Sequence, residues 1–269
     1  MSAEEPLLLL LIAFFANALS ALAGGGAGLL QLPVLLFLGL PFPTALATHK
    51  IASVALGVGA TSRHLRARPI SWRFALFILG WGLPGVLLGT QIILHVADFW
   101  AELLLGGLTL GLGVYSWRRP SMGQVAERRH RDRQGLLIGG VVLFVVGALN
   151  GSLTSGTGLF VTVWLVRWFG LDYTRAVSYT LILVGMFWNG LGALMLSAQA
   201  PVKWSWLPEL LVGSLLGGYV GAHWALLQGN RLVKRAFEVL TVLVGLNLIG
   251  HAFGLSAVDG LRALRHLLA

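Results

Sequence analysis

Lys50 and two glycine-rich breaks are the residues of this sequence best placed to do chemistry. Lys50 follows His49 in an otherwise apolar stretch, Ala45-Leu46-Ala47-Thr48-His49-Lys50-Ile51-Ala52. The first break is Gly24-Gly25-Gly26-Ala27-Gly28, and the second runs from Asn150 to Gly158 as Asn-Gly-Ser-Leu-Thr-Ser-Gly-Thr-Gly. A break at membrane depth leaves amides without helical partners, which is tolerated only beside protein or a water-filled cavity. Short helices starting near Gly28 and Gly158 would turn free N–H groups and positive dipole ends toward mid-membrane. A lysine well inside a span costs about 2.5–3.5 kcal/mol on insertion scales and is a functional candidate by default. Together these features describe an anion site. Its candidate contacts are Lys50, backbone amides at Gly25, Gly26, Gly28, Gly156 and Gly158, and the hydroxyls of Thr48, Ser152, Ser155 and Thr157. Gln31, His49 and Asn150 complete the set. Snorkelling of Lys50 to the outer interface and plain packing kinks at the breaks are the bland alternatives. His49 could titrate near neutral pH or simply hydrogen-bond a carbonyl.

Such a site needs membrane helices to position it, and the composition supplies them. Of 269 residues, 57% are hydrophobic and 11% charged, and the mean hydropathy is +0.82. Soluble domains carry about 25% charged residues, and a disordered chain needs low hydrophobicity. The formal charge of +9 would raise nucleic acid as a partner, but the basic residues sit in short loops between apolar runs. That pattern sets topology, so no nucleic acid is expected. The N-terminus, with Glu4 and Glu5, has no basic region ahead of its first apolar run, so a cleaved signal peptide is not expected.

Ten apolar segments can be drawn, about 7–23, 28–40, 44–62, 74–97 and 99–117, then 135–150, 157–170, 176–197, 207–228 and 236–255. The first two of each half fall short of a full span and read as half-membrane helices. The halves repeat: Gly26-Ala27-Gly28-Leu29 matches Gly156-Thr157-Gly158-Leu159, and Pro69–Trp72 matches Pro201–Trp204, at spacings of 130 to 132. Thr180-Leu181 stands where His49-Lys50 stands, so one repeat alone carries the cation. The expected organisation is a first repeat at 1–117, a basic cytoplasmic linker at 118–134 and a second repeat at 135–269.

If each short pair is a hairpin that enters and leaves on one side, 15 basic residues lie inside and 3 outside; as kinked spans the count is 13 to 5. The positive-inside rule favours hairpins. Three full spans per half then make an all-α inverted repeat, the architecture of secondary transporters. Arg262, Arg265 and His266 would fall outside, unless the tail is an interfacial helix.

Other polar and small residues have structural readings. Gly85/Gly89, Gly107/Gly111 and Gly213/Gly217/Gly221 have the spacing of helix-packing faces. Glu209 and Glu238 suit structural pairing, His223 suits packing, and Trp72, Trp100, Trp117, Trp204 and Trp206 suit an aromatic belt. An intramembrane hydrolase using Ser155 with His223 or His251 lacks the glycine context of an exposed nucleophile, because Leu153 stands where the first glycine belongs. The sequence has no cysteine and no phosphate loop, metal-helix or dinucleotide motif. No catalytic residue, metal or cofactor is expected.

Ala23-Gly24-Gly25-Gly26-Ala27-Gly28, Leu32-Pro33, Gly39-Leu40-Pro41 and Ala45 to Lys50 resemble, in order, motifs of the TauE/SafE sulfite-exporter family, permeases of the wider toluenesulfonate-uptake group. The second half keeps the spacing through Gly156-Thr157-Gly158, Gly170-Leu171 and Ala176 to Thr180. The resemblance spans about residues 7–255. It implies a multi-pass protein of the bacterial inner membrane that carries sulfur-containing or related organic anions, such as sulfite or sulfonates; the inverted repeat would do so by alternating access. The departures are Thr154-Ser155 in place of further glycines and Tyr179-Thr180 in place of a small pair, and they bear on the substrate. Expected partners are a small anion and the bilayer; proton or sodium coupling and a homodimer stay open. An anion channel and a non-transporting membrane scaffold are the alternative functions.

Overall fold

The computed structural model describes residues 4–25, 27–67, 70–92, 98–153 and 156–254. Most of the described residues are helical, with no strand among them. In the first half, α1 is Glu4–Ala23, α2 Ala27–Phe37, α3 Phe42–Ala67, α4 Trp72–Ile92 and α5 Asp98–Trp117. In the second half, α6 is Arg133–Leu153, α7 Thr157–Arg167 and α8 Tyr173–Tyr179. A π-helical stretch, Thr180–Trp188, continues α8 into α9, Asn189–Ser197. After a short turn at Trp204–Trp206 comes α10, Leu207–Ala252, divided at Gly229 by a non-helical backbone (φ 70°, ψ −166°).

The ends of these helices have local causes. Gly39, at φ 93°, follows α2 where Pro41 cannot extend a helix. Asp172 starts α8 by accepting the Arg175 amide at 2.8 Å, an N-cap bond. The expected half-span at the start of each half is corrected: α1 has 20 residues and α6 has 21, about 30 Å each at 1.5 Å per residue. Helix continues through Glu4, Arg133 and Gly151 to Leu153, where the apolar pattern had already ended. Pro6–Ala23, Trp72–Ile92, Arg133–Ser152 and Tyr173–Ser197 are long and apolar enough to cross a membrane. By contrast α2 and α7, with 11 residues each, are half that length.

Each short helix folds back on the one before it. Trp168 and Trp164 of the second pair donate their indole N–H groups to the carbonyls of Gly135 (2.9 Å) and Gly139 (3.4 Å). The start of α6 therefore lies beside the end of α7. In the first pair Asn17 donates to Gln31 Oε1 at 3.1 Å, symmetrically about Gly24. Both pairs are antiparallel hairpins.

Glycine lets the long helices touch. A Cβ at Gly217 would lie 2.3 Å from the Phe14 carbonyl oxygen, and one at Gly89 would lie 1.9 Å from that of Ala148. So α1 packs on the first arm of α10, and α4 packs on α6, at backbone distance. Gly107 and Gly111 depart from the expectation, since nothing lies within 4 Å of a Cβ at either. Their neighbours Gly106 and Gly113 make the contact, against Gly245 and Thr241. Four-residue spacing aligns glycines on one face but does not say which face is covered. Trp72, Trp117 and Trp204 are exposed at helix ends, as an aromatic belt requires.

The linker is pinned to three other segments. The amide of Glu127 donates to Gly170 O (2.8 Å), that of Tyr173 to Gly123 O (2.9 Å), and the Asn230 side chain to Gln124 O (2.8 Å). Glu238 is ion-paired with Lys234 and accepts from Ser116 at 2.9 Å. His223 does more than pack, because its Nδ1 accepts from Arg63 Nε at 2.8 Å. The tail basic residues Arg262, Arg265 and His266 lie outside the described residues.

Candidate functional site

The tips of the two hairpins meet. Gly24 (φ 88°) and Gly25 (φ 134°) turn the chain out of α1 through conformations that side-chain-bearing residues rarely adopt. Their amides both donate to Ser20 O at 2.9 Å. A Cβ on Gly25 would lie 2.7 Å from Gly158 Cα, and one on Gly158 would lie 3.0 Å from Gly25 Cα. Gly156 (φ 73°) starts α7 with no side-chain cap. Thr162 pins the contact, its hydroxyl 2.8 Å from Gly24 O and 2.9 Å from Thr180 Oγ1. Gly28 is buried in the first turn of α2. Gly26 and Ser155 lie outside the described residues.

Lys50 is fully buried on α3, which removes snorkelling as its explanation. Its ammonium donates to Asn150 O (2.8 Å), Asn150 Oδ1 (3.1 Å) and Asn189 Oδ1 (3.3 Å). The Asn150 amide in turn donates to Thr157 Oγ1 at 2.9 Å. Gly192 leaves room for the lysine, since a Cβ there would lie 3.2 Å from Nζ. Among the described residues the ion pairs are Arg129–Glu127 and Lys234–Glu238. Among the described residues the acceptors of the Lys50 ammonium are thus all neutral oxygens, and they solvate its charge without cancelling it.

His49, the preceding residue, serves the other hairpin. Its Nδ1 lies 3.3 Å from Gln31 Oε1 and its Nε2 lies 3.1 Å from Ser53 Oγ. Gln31 Oε1 also accepts from Asn17, whose amide donates to Ser214 Oγ at 2.9 Å. Among the described residues, Asn17 Oδ1, Ser20 Oγ and Gln31 Nε2 are buried there without a hydrogen-bond partner. Two adjacent residues of α3 thus support two polar centres, Lys50 at the α6–α7 hairpin and His49 at the α1–α2 hairpin.

The other sequence candidates sit apart. Thr48 donates to Thr44 O (2.7 Å) and accepts the Lys203 amide (3.0 Å). Ser152 bonds back to Ala148 O (3.0 Å) and Leu149 O (3.3 Å) of its own helix. Asn189 was missed by sequence reasoning. Its signal was present, a lone amide in the apolar run 176–197, by the same logic that singled out Lys50. It directly follows the π-helical stretch, a distortion frequent at functional sites. Among the described residues no cluster of three or more His, Cys, Asp or Glu could hold a metal.

An all-helical, multi-pass membrane protein whose two helix hairpins meet at their tips, with a buried lysine bonded to one of them, has the plan of a permease. Residues 9–248 match the family described as Sulfite exporter TauE/SafE, and the chain belongs to that family. A probable membrane transporter protein of Haemophilus influenzae is 28% identical over 238 residues, covering 88% of this chain and 91% of the relative. The probable membrane transporter protein YfcA of Escherichia coli strain K12 is 25% identical, covering 93% of each. YdhB of Bacillus subtilis, also named a probable membrane transporter protein, is 23% identical, covering 90% of this chain and all of the relative. No solved structure matches. The chain is a membrane transporter of this family.

Proposed function

We propose that the chain is a secondary transporter of the bacterial inner membrane that carries sulfur-containing or related organic anions, sulfite and sulfonates foremost, by alternating access. The observation that carries this reading is Lys50, fully buried and held by neutral oxygens. A buried charge without a counter-charge is costly, and an oxyanion would supply one. The anion takes the place of the amide oxygens on the ammonium. Asn150 and Asn189, turned about their terminal torsions, then present N–H donors to it. Gly156 starts α7 with no side-chain cap, while Gly158 is taken up by the contact with Gly25.

Two features support the inverted-repeat reading, with halves at 1–117 and 135–269 joined by the 118–134 linker. The first segment of each half packs on the fourth segment of the other, α1 on the first arm of α10 and α4 on α6. The linker also touches the α7–α8 turn and the α10 break, so the basic residues there share its side, as the hairpin count requires. Each half closes on the other through Gly25 and Gly158, and rocking about that contact would expose Lys50 to either side in turn.

Reconstitution into proteoliposomes tests the proposal. The wild type is expected to take up sulfite with saturation and to exchange it across the membrane, while Lys50→Ala is not. Single-channel currents would instead make the protein a channel. Absence of flux for every sulfur oxyanion and sulfonate tried would overturn the substrate class.

A further inference from the structure

Three basic stretches far apart in the sequence converge on one pocket of about 550 Å³. Arg73 comes from the first turn of α4, Arg128 and Arg131 from the linker, and Arg175 from α8. No aspartate or glutamate lines it among the described residues. The acids nearby are engaged elsewhere. Asp132 accepts the Gly135 amide at the start of α6, Asp172 accepts the Arg175 amide, and Glu127 pairs with Arg129.

The pocket is built rather than merely basic. The Arg131 guanidinium lies 4.0 Å from the Phe74 ring centroid and 4.9 Å from that of Phe169. Those two rings meet edge to face, 5.1 Å apart, so the cation is held over a rigid aromatic corner. The Glu127–Gly170 backbone bond and the bond from the Ser71 amide to Tyr179 Oη (2.7 Å) fix the walls. Topology alone would be met by lysines and arginines scattered over separate loops. Here all four cations are arginines facing one concavity. Guanidinium recognises phosphate through two parallel hydrogen bonds. The volume lies within the range of small-molecule sites, about 300–1,000 Å³, well beyond one sulfite-sized ion. Four cations likewise exceed the charge of such an ion, in contrast to the single cation at Lys50.

We propose that this pocket binds a phosphate-bearing polyanion, either the headgroup of an acidic phospholipid or a free phosphorylated compound, at a site separate from the transported anion. The probe is inorganic pyrophosphate, titrated against the purified full chain in phosphatidylcholine nanodiscs. Saturable binding is expected, weakened about tenfold or more by Arg175→Gln or Arg73→Gln, which is about 1.4 kcal/mol. Arg118→Gln and Arg235→Gln, basic positions outside the pocket, are expected to change it less than about twofold, and Lys50→Ala to leave it intact. Native mass spectrometry identifies the source. Phosphatidylglycerol retained by the wild type but not by Arg175→Gln marks a lipid headgroup, and pyrophosphate binding without such retention marks a free ligand. Absence of saturable binding, or equal weakening by Arg118→Gln and Arg175→Gln, overturns the proposal.

Discussion

The Lys50 ammonium donates to the main-chain carbonyl of Asn150 across 2.8 Å, joining α3 to the tip of a hairpin 100 residues further along. The contact brings the cation of the first half to the polar break of the second. Under the proposed function, the charge state of the Lys50 surroundings is the variable on which anion binding turns.

Asn189→Asp is the sharpest probe of that variable. Asn189 Oδ1 already accepts from both Lys50 and the Asn150 amide, so the substitution keeps the acceptor and adds a negative charge. A built-in counter-ion offsets the cost of the unpaired buried cation, so the resting protein should be at least as stable as the wild type. It should also abolish the stabilising response to sulfite. Thermal melts with and without the anion report both effects, and an unchanged response would mean that the anion binds elsewhere.

The hairpin contact predicts an order of severity. Gly25→Ala places a methyl 2.7 Å from Gly158 Cα at a backbone φ of 134°, a region in which non-glycine residues are strained by about 1–3 kcal/mol. Gly158→Ala meets Gly25 at 3.0 Å from ordinary helix. Gly25→Ala should lower the melting temperature more than Gly158→Ala, and both should slow transport. The reverse order would contradict the left-handed backbone at Gly25 on which the ranking rests.

His49 and Lys50 should separate kinetically. Because His49 faces Gln31 and Ser53 whereas Lys50 faces Asn150 and Asn189, His49→Ala should reduce maximal transport and leave the half-saturating anion concentration within about twofold. Lys50→Ala should remove binding itself. Initial uptake rates over a range of anion concentrations decide this, and equal loss of affinity in both variants would merge the two centres into one.

Glycines of like spacing should differ by face. Gly217→Ala drives a methyl to 2.3 Å from the Phe14 carbonyl and should cost about 1–3 kcal/mol, as overpacking does. Gly111→Ala meets nothing within 4 Å and should be neutral or gain up to about 1 kcal/mol of helix propensity. Unfolding in detergent with a graded denaturant measures both.

How legible these features were in the sequence followed from contrast with their surroundings. Lys50 and the two breaks stood out because charge and clustered glycine are expensive among apolar residues, and all ten segments could be bounded the same way. Asn189 escaped because one amide in a long apolar run is a weak signal without knowing what faces it. The face chosen by Gly106 and Gly113 over Gly107 and Gly111 depends on the placement of α10, which no local spacing encodes. The lengths of α1 and α6 were underestimated because helix hydrogen bonding continues through Glu4 and Arg133, whereas an apolar window stops there. The division of His49 and Lys50 between two hairpins could not be read from adjacency, because neighbours on a helix point about 100° apart.

Thermal stability of the purified protein against a panel of anions shows whether Lys50 holds a sulfur anion. The panel contains sulfite, sulfate, thiosulfate, sulfoacetate, taurine and simple carboxylates, each applied to wild type and Lys50→Ala. A bound anion at 100 times its dissociation constant stabilises by about 2.7 kcal/mol. A selective shift for sulfur oxyanions or sulfonates is expected in the wild type and is expected to vanish in Lys50→Ala. The same shift in both proteins would contradict the assignment of the site to Lys50, and a flat panel in the wild type would contradict the substrate class.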